Sequence, residues 1–248
     1  VGTWVTVRAT VTAEAGRLGT QRLFAIGDVS GGIAVRLPLG QTGPTRGTSV
    51  VIVGQLAEPY GQLELRPKAD GILLGGIGSM PQPQSLGQSG PDESSEGRLV
   101  AFVGRLLAKP SRSTSGDLTA RFERSDGSQV LVQADASSGI AATLLHPRAT
   151  YLVIGIGGQR ASRKGAQDGY RVWARDRNDL TLLSAAPPPV PSASPAPSAT
   201  SAATPSGPRD PKRRRRSPTP PRRVPSARTV RSRMPRYNPG PPHHPRSR

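Results

Sequence analysis

From residue 4 to residue 11 the chain alternates without interruption: Val5, Val7, Ala9 and Val11 fall between Trp4, Thr6, Arg8 and Thr10. A period of two sends successive side chains to opposite faces of an extended backbone, so this segment is a strand with one face buried. The same grammar continues downstream. Residues 21–28 read as a second strand with Phe24 and Ile26 on one face, Ser30-Gly31-Gly32 as a tight hairpin turn, and residues 33–37 as a third strand. Residues 50–56 and 62–66 supply two more, joined by the turn Pro59-Tyr60-Gly61. About 95 residues later the pattern recurs, with strands expected over residues 99–108, 117–124, 129–134, 151–158 and 170–174. Between the third and fourth of these, residues 137–145 suit a short helix, with Ser137 or Ser138 as N-cap and Pro147 beyond its end.

Composition divides the chain. Residues 185–248 are runs of Pro, Ser, Ala and Arg, with Val190, Val224 and Val230 as almost the only bulky aliphatics. Such a segment buries too little apolar surface to offset its ordering entropy, and is expected to be disordered. Lys and Arg minus Asp and Glu gives 20 − 15 = +5 for residues 1–184 and 14 − 1 = +13 for the rest, so most of the net +18 lies in the tail. The expected organisation is a first barrel over residues 1–79, a surface linker rich in Pro, Gln and Ser over 80–96, a second barrel over 97–184, and the tail over 185–248.

Five strands, with a longer connection between third and fourth, match the OB-fold, a small Greek-key barrel whose open face and loops bind single-stranded nucleic acid or sugars. The fold class expected is therefore all-β, two tandem five-stranded OB-like barrels followed by a Pro- and Arg-rich tail. The run Val5-Thr-Val-Arg-Ala-Thr-Val-Thr, then Gly27-Asp-Val-Ser-Gly-Gly-Ile, Val53-Gly-Gln-Leu and Tyr60-Gly-Gln-Leu-Glu-Leu, resembles OB-fold modules of bacterial extracytoplasmic proteins, of the kind accompanying lamin-tail-like domains and secreted nucleases. That resemblance covers the first copy. It implies a ligand-binding barrel and an extracytoplasmic or cell-surface location, with a cytoplasmic one as the alternative. It transfers no catalytic residue.

A single-strand binder needs aromatic faces for stacking and cations that track phosphates. In the first copy Arg8, Arg22, Arg36, Tyr60 and Arg66 are the candidates; Phe24 shares its face with Ile26 and reads as core. The second copy has a denser set. A hairpin runs through Arg160, Arg163 and Lys164 and returns through Tyr170, Arg171, Trp173 and Arg175, five cations and two aromatics in sixteen residues. In an OB-fold this hairpin commonly closes over the ligand. The bland reading of the same residues is a solvated basic loop with Trp173 in the core.

Other classes find less support. The carboxylates Asp28, Glu58, Glu64, Asp126 and Asp135 are scattered at turns and strand ends, and no Ser, His and Asp set emerges, so no enzyme is expected. With no Cys, and His only at 146, 243 and 244, neither a disulfide nor a metal site is expected, and no cofactor. No run long enough to span a bilayer occurs, and the start at Val1, close to a strand, reads as a mature or excised fragment expected to be monomeric.

Lys212 to Arg216 and Arg222-Arg223 would attract polyanions without reading their sequence. Their readings are a nucleic-acid arm, a contact for an anionic membrane or wall polymer, a nuclear-localisation-like signal, or the texture that an out-of-frame read through GC-rich coding sequence produces. Residues 187–205 resemble an extended stalk. Two functions from different classes follow: a non-enzymatic module for single-stranded DNA or RNA, or a structural or adhesive spacer of a secreted or surface-anchored protein.

Overall fold

In the computed structural model, which describes residues 1–88 and 90–186, the alternating segments close into a barrel. Its strands are β1 (Trp4–Ala13), β2 (Leu23–Gly27), β3 (Gly32–Arg36), β4 (Thr48–Ala57) and β5 (Glu64–Ile77). The ring order is β1-β2-β3-β5-β4, antiparallel throughout except where β3 meets β5. This is the strand order of an OB-type barrel.

A second ring repeats it. After β6 (Gln84–Ser85) come β7 (Leu99–Leu106), β8 (Ser111–Arg112), β9 (Leu118–Glu123), β10 (Gln129–Ala134), β11 (Thr150–Gln159), β12 (Tyr170–Trp173) and β13 (Leu180–Ser184). The pairs β7–β9, β9–β10, β10–β12, β12–β11 and β11–β7 close in the same order, again with one parallel pair, β10–β12. The fold is all-β, as the alternation predicts. No helix among the described residues is long and apolar enough to cross a membrane.

Each ring has its own apolar interior. Val11, Phe24, Ile26, Val35, Ile52 and Leu65 fill the first. Phe102, Leu106, Phe122, Val132, Tyr151 and Val153 fill the second, where Phe122 meets Phe102 and Tyr151 edge to face at 6.1 and 6.0 Å.

A third cluster lies between the rings and unites the described residues. Leu18, Leu23, Ala25 and Ala34 of the first ring pack on Leu99, Ile156 and Trp173 of the second. This explains a departure from simple alternation: β2 is buried at all five positions, Phe24 and Ile26 inside its barrel, Leu23 and Ala25 beneath the neighbouring one. Burying a large apolar side chain is worth about 1.5–3 kcal/mol, so Leu23, Leu99 and Ile156 alone make the pairing of the rings a substantial part of the fold. Backbones also meet closely: a Cβ on Gly32 would lie 2.1 Å from the Gly97 carbonyl oxygen.

Four segments differ from expectation. β5 runs to Ile77, well beyond residue 66; Pro67 sits opposite Gly54 beside a register shift, the kind of place where a strand tolerates proline. Residues 80–96 carry β6, paired in parallel with β7, and bury Leu86 in the second core, so the stretch is packed as well as connecting. In place of one helix over 137–145 there are two 3₁₀ turns, Ala136–Ser138 and Ala142–Leu144; Gly139 at φ 69° stops the first, and Asp135 caps it by accepting the Ser137 N–H. β13, which pairs with β11, adds a strand beyond the five expected in the second copy. The tail, the stalk, His243, His244 and the polybasic runs lie outside the described residues.

Candidate nucleic-acid interface

Where the two barrels meet, a cleft of about 220 Å³ opens beside their apolar contact. Arg36 and Tyr60 of the first barrel and Arg160 and Trp173 of the second line it together. Four of the residues singled out in the sequence thus converge from two stretches of the chain a hundred residues or more apart.

Their availability differs. The Arg36 guanidinium forks onto the Glu64 carboxylate through two 2.7 Å bonds, and this partner raises its already high pKa; Arg66, exposed, shares the same carboxylate at 3.2 Å. Arg22 donates its guanidinium to the Leu37 carbonyl oxygen. Arg36 thus shapes the cleft floor with its charge compensated, whereas Arg22 and Arg66 lie outside the lining, the one turned to a carbonyl and the other sharing the Glu64 carboxylate.

Tyr60 is the opposite case, with its side chain largely in solvent at 69% exposure. Its backbone lies in the left-handed region, φ 55° and ψ 33°, a rare and strained place for an aromatic residue. Two contacts with the second barrel hold it there. The Ala161 N–H donates to the Tyr60 carbonyl oxygen at 2.7 Å, and Gly61 is packed so closely that a Cβ would lie 2.3 Å from Gln159 Oε1.

The hairpin between β11 and β12 is ordered by its own bonds. Gln159 donates Nε2 to the carbonyls of Ala166 and Asp168, both at 3.0 Å. Asp168 accepts the Ser162 hydroxyl and N–H, bonds that hold its carboxyl below the usual range. Arg160, Arg163 and Lys164 project from this frame, exposed, and none takes part in an ion pair among the described residues. Arg171 lies beside them, donating Nη1 to Gln133 Oε1 at 2.6 Å; burial, then the neighbouring Arg160, depresses its pKa.

Three further residues of the hairpin take structural places. Trp173 is only 9% exposed and sits against Gly19, where a Cβ would come 2.4 Å from the ring, so little of the indole is open to a base. The Tyr170 hydroxyl donates to Glu93 Oε2 at 3.0 Å, and burial with this carboxylate pushes it up to about 12. An acidic neighbourhood of that kind repels phosphate. Arg175 is buried, paired with Asp179 at 2.6 Å, and its Nη1 donates to the Thr12 carbonyl oxygen of the first barrel at 2.8 Å. It ties the barrels together and has no face left for a ligand. Arg8 stands apart, exposed on the outer face of β1 opposite Val51.

No family model matches the chain, and no curated protein does. Among solved structures it is similar to the single-stranded DNA binding protein from Thermus aquaticus. The wild-type protein is 16% identical, with 77% of this chain and 97% of that chain covered and a TM-score of 0.24. A deletion mutant of the same protein is 17% identical over 76% and 98%, with a TM-score of 0.25. Strand order, not this distant likeness, places the chain among OB-type barrels.

Sequence reasoning missed the cleft itself, because nothing local announces which barrel faces touch. One signal was present: the small residues Gly19, Gly32, Gly61 and Gly97 mark the points where a Cβ would collide across the junction. It also passed over Trp4, half exposed, with Lys68 Nζ 5.3 Å from its ring centre.

Proposed function

We propose that this chain is a non-enzymatic binding module that holds single-stranded DNA or RNA along the cleft between its barrels. Tyr60 offers a ring for stacking, while Arg160, Arg163 and Lys164, backed by Arg171, meet the phosphates. The observation that carries this reading is the pairing of an exposed aromatic, fixed in a strained backbone, with a hairpin of uncompensated cations on the adjoining barrel. Stacking is worth about 1–3 kcal/mol per base and tolerates any base, as a sequence-independent binder requires. Arg36 shapes the floor beside Glu64, and Trp173 and Arg175 hold the two walls in register. The basic tail would add attraction for polyanions without directing it.

The test is fluorescence anisotropy with labelled oligothymidylate and oligouridylate, comparing the whole chain with its Arg160→Ala/Arg163→Ala/Lys164→Ala variant across roughly 50–200 mM salt. Losing three phosphate contacts should make the dependence of log affinity on log salt shallower by about 2, at about 0.7 per phosphate. Unchanged affinity and slope in the variant would remove the hairpin from the reading. Absence of binding by either protein would favour the second function, a structural or adhesive spacer, which the rigid fusion of the barrels through Trp173 and Arg175 also suits.

A further inference from the structure

The outer face of the first barrel, formed by the first half of β1 with β4 and β5, is not covered by the second. On it Trp4 stands opposite Gln55, Thr6 opposite Val53 and Arg8 opposite Val51, and on β5 Arg66 pairs with Gln55 and Leu73 with Val51. Directly opposed residues of an antiparallel pair share a face, so these side chains form one surface. Trp4 is 49% exposed, Val53 42% and Leu73 62%. Lys68 Nζ lies 5.3 Å from the Trp4 ring centre, a cation held against one side of an indole whose remaining surface is open. From Trp4 to Arg8 the strand covers about 13 Å at 3.3 Å per residue.

We propose that this face is a second binding surface for single-stranded nucleic acid, separate from the cleft, on which a base stacks on Trp4 while Lys68 and Arg8 receive the flanking phosphates. Charge selects the occupant. Arg8, Arg66 and Lys68 face one exposed carboxylate, Asp70, in the β5 bulge, while Glu64 is buried and already shared by Arg36 and Arg66. A second copy of the chain would bring like charges together across a two-fold axis. Residues 185–248 carry a net +13 and would be repelled. A polyanion with aromatic planes satisfies both the cations and the indole, whereas an acidic peptide satisfies only the cations. The proposal does not rest on the cleft, since none of its residues lines it.

The chain's two tryptophans make the test direct. Trp173 is 9% exposed but borders the cleft, so the part of the quenching by unlabelled oligothymidylate that Trp4→Phe removes is the part that reports on Trp4. The expected result is saturable quenching by the whole chain that is lost in Trp4→Phe, persists in the Arg160→Ala/Arg163→Ala/Lys164→Ala variant, and needs roughly five- to thirty-fold more oligomer in Arg8→Ala/Lys68→Ala. Anisotropy that rises with no change in emission would overturn the outer face and leave the cleft standing. Quenching that disappears with the hairpin variant would show that there is one site and not two. Equal quenching by polyglutamate would reduce the face to a generic cation patch, and self-association that shields Trp4 without any oligomer would make it a protein interface.

Discussion

The Ala161 N–H of the second barrel donates to the Tyr60 carbonyl oxygen of the first at 2.7 Å, and Tyr60 keeps φ at 55°. A non-glycine residue in the left-handed region costs roughly 1–2 kcal/mol, and this clamp is what sustains it. Replacing Tyr60 by Gly should therefore raise thermal stability, by about 0.5–1 kcal/mol after glycine's extra chain entropy is subtracted. The same change should weaken oligothymidylate binding by roughly fivefold or more through the lost ring. A lower melting temperature would instead show that the Tyr60 ring packs on the barrel end.

How far the sequence showed all this depends on which contacts are local. β10 occupies residues 129–134 as its alternation predicts, and β1 and β11 lie within a residue or two of expectation. Those strands follow from period two and flanking turns. By contrast, β2 is buried on both faces, and the residues responsible, Leu99, Ile156 and Trp173, lie 70 to 150 residues away. An apolar residue on an outward face, such as Leu23, reads equally as ligand surface or as interface. The same ambiguity made Trp173 and Arg175 candidates for ligand contact when they join the barrels. Arg163 and Lys164 raised no such conflict, because a Gly-flanked charged turn has no core to enter.

Arg175 gives the sharpest contrast between structure and binding. Its guanidinium is the buried partner of Asp179 and reaches Thr12 across the junction. Arg175→Ala would leave the Asp179 carboxylate buried and unpaired, at a cost of about 3–5 kcal/mol. Chemical denaturation should show that loss, whereas Arg163→Ala/Lys164→Ala, altering exposed side chains, should unfold within about 0.5 kcal/mol of the natural chain. Equal stability of the Arg175 and hairpin variants would contradict the role of Arg175 as a tie.

The Gly32 and Gly97 backbones approach so closely that a methyl group on Gly32 would meet the Gly97 carbonyl oxygen at 2.1 Å. Neither backbone can retreat without parting the barrels. Gly32→Ala should cost about 1–3 kcal/mol by overpacking and should increase amide exchange on both sides of the junction, in β3 and β7. Exchange confined to β3 would indicate that the strain is absorbed within the first barrel.

Glu96 makes the junction sensitive to pH. Its Oε1 accepts the Leu63 N–H of the first barrel, while its Oε2 is buried without a hydrogen-bond partner. Burial, with the nearby Glu93 and Glu58 charges, pushes its carboxyl up to about 7, against an ordinary value of 4.5. A carboxyl raised in the folded state binds protons there that the unfolded chain has already released, so stability must fall as pH rises between those two values and stay low above them. Melting temperatures measured from pH 4.5 to 8 should show this decline as one component of the profile. Glu96→Gln, whose amide oxygen can still accept from Leu63 and which carries no charge to desolvate, should remove that component and be the more stable protein at pH 8. A variant as pH-sensitive as the natural chain would move the titration to another group and leave Glu96 a plain hydrogen-bond acceptor between the barrels.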